Sequence, residues 1–471
     1  MSETTEKSTE TKVAEAERAA LSLAKCSDEE RSAAIHAIAD AIAANHEEIL
    51  AANERDVEKA EELLAAGEYS QVLVDRLELS ASKLESIESM VRSVAEQDDP
   101  LGETQTARKL DEGLELYRCS VPIGVVGTIF ESRPDALVQI AALSLKSGNA
   151  VILKGGSEAS HSNRVLFDLI EDATAEHAAT SDSADAVPDG WAQLIEARAD
   201  VDTVLEMDDS IDLVMPRGSS EFVEYIQQNT QIPVLGHTEG VCHVYVDDEA
   251  DLSMATEIAY DAKVQYPAVC NAVETVLVHE DVAESFLPGM VERYADADVE
   301  VRGDETTRSI LESEASEADA ATANVAPATE EDWQTEYGDL IVSIRVVDSI
   351  ETAVDHVTTY GSKHTDSIVT DSSEHARLFM RSLDSASVFH NASTRFADGY
   401  RYGLGAEVGI STGKIHARGP VGLDGLTTYQ YYLEGDGQIV GTYAGADAKP
   451  FLHEDFGGEW EPGRRSTDRS Q

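Results

Sequence analysis

Cys270 stands in "KVQYPAVCNAVETVLV", between a proline-containing loop and an apolar run that reads as a strand. A cysteine acts as a nucleophile through its thiolate, which forms at exposed positions near a cation or a helix N-terminus. A loop at a strand edge allows that chemistry, although a lone cysteine is most often a small buried apolar residue. The four cysteines, Cys26, Cys119, Cys242 and Cys270, show no C-x-x-C spacing, which argues against zinc ribbons and redox pairs. Cys242 lies in the alternating run "EGVCHVYVD" and reads as core. Its neighbour His243 points to the opposite face of the strand, so the two make a poor dyad. His356 and His364, in "DHVTTYGSKHTD", lack the spacing of a metal pair such as H-E-x-x-H and read as loop and helix-end residues. No metal site is expected.

Two stretches have the form strand, glycine, serine, helix. In "VILKGGSEASHSN" a strand ends at Lys154, Gly155 and Gly156 follow, and Ser157 or Ser160 can cap a helix. In "MPRGSSEFVEYI" Gly218 and Ser219 hold the equivalent place. Such turns leave backbone N–H groups free to meet an anion. Neither is a Walker loop or a G-x-G-x-x-G fingerprint, and each alone is as well read as an ordinary connection. Two in successive units raise the case for a dinucleotide site.

The elements that must position these residues follow from periodicity. From about Val13 to Ala66 apolar residues recur at three and four, and "SASKLESIESMVRSVAEQ" does the same, so both segments read as helical. Beyond them strands alternate with helices, which implies a parallel α/β sheet. A second α/β region begins after Gly240, and Gly303 to Glu331 reads as an acidic surface excursion. Residues 1–12 and 454–471 read as a disordered lead and tail. The 471 residues suggest two to three domains. No apolar run approaches the roughly 18 residues of a membrane helix, and the polar start lacks a signal-peptide core, so a cytoplasmic protein is expected. The formal charge of −56 repels nucleic acid and anionic membranes. A fold with that charge needs dense counterions, which points to a salt-rich cytoplasm.

With these residues in view, the chain resembles the γ-glutamyl phosphate reductase (glutamate-5-semialdehyde dehydrogenase) family of the aldehyde dehydrogenase superfamily from about Ala14 to Tyr443. The stretches that carry the resemblance include "VPIGVVGTIFESRPDA", "LKSGNAVILKGGSEASHSN", "EGVCHVYVD", "QYPAVCNAVET", "NASTRFADG" and "YGLGAEVGISTGKIHARGPVGL", with "VDSIETAVDHVTTYGSKHTDSIV" at the family signature. The resemblance implies an α/β fold of aldehyde-dehydrogenase type. A Rossmann-type cofactor domain would span 13–103 and 121–238, a catalytic domain 239–411, and a β oligomerisation arm 104–120 and 412–445. It places Cys270 at the nucleophile and Lys154 at the cofactor ribose, with Gly156, Ser157, Gly218 and Ser219 around the dinucleotide. Ser157 replaces the glutamate of NAD-preferring relatives, which implies NADPH. Ser132 falls near the oxyanion-hole asparagine. Arg133, Asn391, Ser393, Thr394 and Arg395 become the candidates for substrate phosphate and carboxylates.

The reaction so implied is NADPH-dependent reduction of L-glutamyl 5-phosphate to L-glutamate 5-semialdehyde, the second step of proline biosynthesis, through a Cys270 thioester. The implied partners are the small-molecule substrate, a second copy of the chain and glutamate 5-kinase, which makes the acyl phosphate. Two other readings compete. A hydrolytic aldehyde dehydrogenase would need a water-activating glutamate; His237 stands roughly at that place, with Glu239 two residues on. An inert nucleotide-binding or kinase-like module would use no thiol, but a kinase's Walker lysine loop and magnesium carboxylates are not assembled here.

Overall fold

The computed structural model describes residues 7–181, 183–197, 199–314 and 325–461. Serines start its first helices. Ser8, Ser27, Ser70 and Ser80 each accept a hydrogen bond from the backbone N–H three residues on, which satisfies a donor that a helix start leaves unpaired. They open Thr9–Leu23, Asp28–Ala44, Gln71–Leu77 and Ala81–Ala95, with His46–Ala65 between. Ile35, Ile38, Ala39 and Ile42 form one inward stripe on the second helix and join the largest core cluster. Burying each isoleucine contributes about 1.5–3 kcal/mol. The expected disordered lead is corrected here: the Ser8 cap starts the chain as helix at Thr9, while residues 1–6 lie outside the described residues.

The first sheet is parallel and four-stranded, ordered Ala192–Ile195, Ala150–Gly155, Val125–Phe130, Leu213–Arg217. Ala150–Gly155 is buried along its whole length, as expected of a strand covered on both faces. Helices Pro134–Lys146, Ser160–Thr180 and Ser220–Asn229 accompany it. The second sheet is parallel and seven-stranded, ordered Val325–Pro327, Glu300–Gly303, Ile341–Val347, Val273–His279, Cys242–Val246, Thr365–Val369, Ser387–His390. The expected excursion from Gly303 to Glu331 is thus partly regular. It contains the helix Glu305–Glu314 and the edge strand Val325–Pro327, and residues 315–324 lie outside the described residues.

A third, antiparallel sheet joins Thr427–Glu434, Leu114–Pro122, Thr104–Asp111 and Glu454–Asp455. Its last strand corrects the expected disordered tail. Arg108 pairs with Asp455 at 2.6 Å, and the Trp460 ring stacks on Tyr432 at 3.7 Å, so residues 454–461 are bound to the arm; 462–471 lie outside the described residues. Tyr429, Tyr431 and Leu433 stand exposed on the Thr427–Glu434 strand. Among the described residues no helix is long and apolar enough to cross a membrane.

Candidate active site

Cys270 occupies the turn between the helix Leu252–Val264 and the strand Val273–His279. It is half-buried on the wall of a cavity of about 850 Å³ lined by the strand Leu213–Arg217 of the first sheet, by loops beside the second sheet and by the helical segment. The turn is held from behind. A Cβ on Gly240 would lie 2.6 Å from the Cys270 Cα, so only glycine lets the chain entering Cys242–Val246 pack there. The Gly240 N–H donates to Glu336 Oε2 at 2.8 Å. Beside Cys270, the Arg395 guanidinium donates to Gln265 Oε1 at 2.9 Å and to Asn271 Oδ1, which fixes the residue next to the thiol.

Two imidazoles flank the thiol. His237 Nδ1 lies 2.8 Å from the Ile410 carbonyl oxygen. A carbonyl only accepts, so this nitrogen carries the proton and Nε2 keeps a lone pair. Burial holds the His237 imidazole below its usual pKa, which keeps it neutral. The His364 ring stands 5.0 Å from the His237 ring, centroid to centroid. His364 Nδ1 is 2.9 Å from Thr365 Oγ1 and 3.6 Å from Cys242 Sγ. Cys242 is fully buried, as expected of core; the histidine it meets comes from a distant segment, whereas His243 pairs with Asp366 at 2.8 Å. Glu239 is exposed and is absent from the cavity wall that His237 joins.

Four arginines, Arg76, Arg133, Arg217 and Arg395, reach the same cavity. Arg76 donates to the Ala268 carbonyl at 3.0 Å; burial first, and then the positive charge of Arg133, lower its pKa. Arg217 donates to the Val408 carbonyl, and burial lowers its pKa too. Cations placed this close, with planar donors, suit an anionic ligand carrying phosphate or carboxylates. Their counterweights are Glu131, Glu158, Glu336, Asp398 and Glu407, of which burial raises the pKa of Glu407.

Of the residues expected from the sequence, Cys270, Ser132, Arg133, Ser157, Gly218, Ser219 and Arg395 line this cavity together. Lys154, Gly156, Asn391, Ser393 and Thr394 do not. Lys154 is buried and turns back on the Gly155 carbonyl. The Asn391 amide is used on Thr370, accepting from its N–H at 2.9 Å and donating to its carbonyl at 3.0 Å. Ser393 caps the turn Thr394–Phe396, and Thr394 is buried. These three shape the backbone that carries Arg395. Arg76, Arg217, Glu131, Glu158 and Glu336 were missed. They lie in segments remote from Cys270, and only their meeting in space marks them.

The candidate dinucleotide site lies at the edge of the first sheet. The Ser219 N–H, at the start of the helix Ser220–Asn229, donates to Glu131 Oε2 at 3.0 Å. A carboxylate thus sits where a pyrophosphate would be met. Ser132 adopts a left-handed backbone (φ 48°), and its N–H and hydroxyl donate to Glu158 Oε1 at 2.6 and 3.0 Å. Glu158, one place after Ser157, therefore brings a negative charge to this wall that position 157 lacks. The site suits a nicotinamide dinucleotide once Glu131 yields the helix start.

The profile described as "Aldehyde dehydrogenase family" matches residues 1–340. The "Gamma-glutamyl phosphate reductase" of Natronomonas pharaonis is 70% identical over 454 residues, which are 96% of this chain and 99% of that protein. The protein of the same description from Haloquadratum walsbyi is 67% identical over 451 residues, 96% of each chain. Both organisms are halophiles, as the −56 charge implies for this chain. The crystal structure of gamma-glutamyl phosphate reductase from Thermotoga maritima superposes with a TM-score of 0.83 at 39% identity, covering 91% of this chain and 99% of that one.

Proposed function

The chain belongs to the γ-glutamyl phosphate reductases of the aldehyde dehydrogenase family, and on that premise we propose that this oxidoreductase converts L-glutamyl 5-phosphate into L-glutamate 5-semialdehyde and phosphate with NADPH, in proline biosynthesis. The observation that carries the reading is Cys270 on a cavity wall shared with four arginines. A free carboxylate resists hydride, whereas an acyl phosphate has a good leaving group. The Cys270 thiolate attacks the acyl carbon, the C–O bond to phosphate breaks, and phosphate leaves toward the guanidinium groups. Backbone N–H groups beside Cys270 stabilise the oxyanion. His237, neutral with its Nε2 lone pair free, accepts the thiol proton as general base. A nicotinamide, when bound, would supply the hydride to the thioester carbon, after which the C–S bond breaks to release the aldehyde and return the Cys270 thiolate. Arg133, Arg76 and Arg395 hold the anionic ends of the substrate, while Ser157, Gly218 and Ser219 bind the cofactor. The exposed tyrosines of the arm provide the surface for a second copy.

The reading excludes hydrolysis of the thioester. Glu239 is exposed and off the cavity, and the cavity carboxylates Glu131, Glu158, Glu336, Asp398 and Glu407 each accept a backbone N–H, so no free carboxylate is assigned to activate water at Cys270. General-base help is worth roughly 10²–10⁴-fold, and phosphate becomes the acceptor in the reverse direction. The experiment is oxidation of glutamate 5-semialdehyde with NADP, with and without inorganic phosphate, followed by NADPH absorbance. NADPH formation is expected to depend on phosphate, with little free glutamate released. Rapid phosphate-independent formation of glutamate would make the chain a hydrolytic dehydrogenase.

A further inference from the structure

One ring nitrogen of His237, one of His364 and the Cys270 Sγ all lie within 4.8 Å of one another. We propose that these three residues form a binding site for a thiophilic divalent cation, zinc above all, which caps the nucleophile and holds the enzyme inactive until the metal is removed. One thiolate and two imidazoles are a ligand set that zinc takes with its fourth position left to water. Bonds of 2.0–2.3 Å place tetrahedral ligands roughly 3.5 Å apart, so side-chain shifts of about 1 Å close the site. The Cys270 turn itself is held by Gly240 and Cys242, so the shifts fall on the side-chain torsions of Cys270 and His237.

The imidazoles are already set for the role. The Ile410 carbonyl keeps the proton of His237 on Nδ1, and Thr365 Oγ1 stands 2.9 Å from the Nδ1 of His364. A neighbour of this kind on the far nitrogen orients a metal-bound histidine and fixes its tautomer. His364 is 1% exposed, and its Nε2 is buried with no hydrogen-bond partner. A buried nitrogen of this kind is costly to leave unsatisfied, and a metal bond would satisfy it. Cys242 touches that ring at Nδ1 and is not one of the three clustered residues, so it is a neighbour of the site and not a ligand. Metal binding drives the Cys270 thiol proton into solvent and changes no oxidation state. The metal and the water in its fourth position take up the space in front of the Cys270 Sγ where an acyl carbon would have to sit, so metal and substrate exclude each other. Spacing in the sequence hid this site because its ligands come from three separate segments. The binding claim stands apart from the glutamyl phosphate reading; only its effect on turnover rests on Cys270 as nucleophile.

The test is titration of the chelator-treated full-length protein with Co²⁺ and then Zn²⁺, in salt that keeps it folded. One cobalt per chain is expected, with a thiolate-to-cobalt charge-transfer band that zinc abolishes. Zinc should protect Cys270 from iodoacetamide, stop turnover, and be fully reversed by EDTA. Cys270→Ser and His364→Ala should each weaken zinc at least about 100-fold, beyond the 10–100-fold of an outer-shell loss. His364→Gln serves if the alanine variant fails to fold by circular dichroism. His375→Ala, at the Asp247–Asp248–His375 cluster, should leave zinc affinity unchanged. A cobalt complex without the thiolate band, or zinc affinity unmoved by Cys270→Ser or by a folded His364 variant, would overturn the site whatever the enzyme's substrate.

Discussion

The Cys242 thiol donates to the Cys270 carbonyl oxygen, with Sγ 3.2 Å away. The two cysteines meet at one turn and differ in everything else. Burial pushes the Cys242 thiol well above its ordinary pKa, so it stays protonated and braces the turn, while Cys270 faces the cavity. Cys270→Ala is expected to abolish turnover and leave NADPH binding, followed by fluorescence titration, nearly intact. Cys242→Ala should keep more than a tenth of kcat and cost about 1–2 kcal/mol for a small cavity and one lost hydrogen bond, read from chemical denaturation. Equal loss of activity in both variants would contradict the assignment of the nucleophile.

What could be read from the sequence was local. The buried run Ala150–Gly155 and the turns at Ser157 and Ser219 are visible because strand, glycine and helix follow within a few residues. The Ser8 cap on the first helix and the stacking of Trp460 on the arm escaped the reading of both ends as disordered, which followed polar composition. The meeting of Arg76 with Ala268, or of His237 with His364, depends on how separate segments are brought together. No residue near Cys270 in the chain encodes it. The resemblance put substrate contacts on Asn391, Ser393 and Thr394, but the first two spend their hydrogen bonds on the backbone and the Thr394 hydroxyl is buried with no hydrogen-bond partner.

The proposed preference for NADPH rests on one short turn. Ser157 lines the cavity without a charge, and the Glu158 carboxylate beside it is held by Ser132. Ser157→Glu is expected to weaken NADPH more than NADH, because a new carboxylate repels a 2′-phosphate. The dissociation constants of both cofactors measure it. Equal losses would mean that residue 157 does not face the 2′ position.

Salt dependence follows from the −56 charge. At 1 M salt the Debye length is about 3 Å, short enough to screen neighbouring carboxylates on the surface. Dialysis to low salt is expected to lower Tm and activity together, with recovery on return to molar salt. Unchanged melting at low salt would refute the self-repulsion argument.

The pH dependence of stability has a local source at His375. Its Nδ1 lies 2.8 Å from Asp247 and 3.4 Å from Asp248. The hydrogen bond to Asp247, and then the charges of Asp247, Asp248 and Glu249, raise its pKa above the usual 6.5. A histidine with a raised folded pKa contributes stability that is full below its unfolded value, about 6.5, and lost as pH rises through the folded value. Denaturation midpoints should therefore fall as pH rises from about 6.5. His375→Gln should flatten that slope, and an unchanged slope would assign it elsewhere.

The most deeply buried ion pair gives the last test. Lys263 Nζ and Glu274 Oε2 are 2.7 Å apart with both side chains fully enclosed. Burial pushes the Glu274 carboxyl up to about 8 and lowers the Lys263 ammonium, each against the pull of its partner. Glu274 Oε1 has no hydrogen-bond partner, so the attraction is set against incomplete solvation. Removing one partner of such a pair strands the other charge and typically costs about 3–5 kcal/mol, whereas replacing both with apolar groups is often neutral or stabilising. Lys263→Met and Glu274→Leu are each expected to lose stability in that range, and the double variant to regain most of it. A double-mutant cycle from chemical denaturation separates the terms. A double variant as unstable as the worse single one would show that the pair is a net stabiliser of the second sheet.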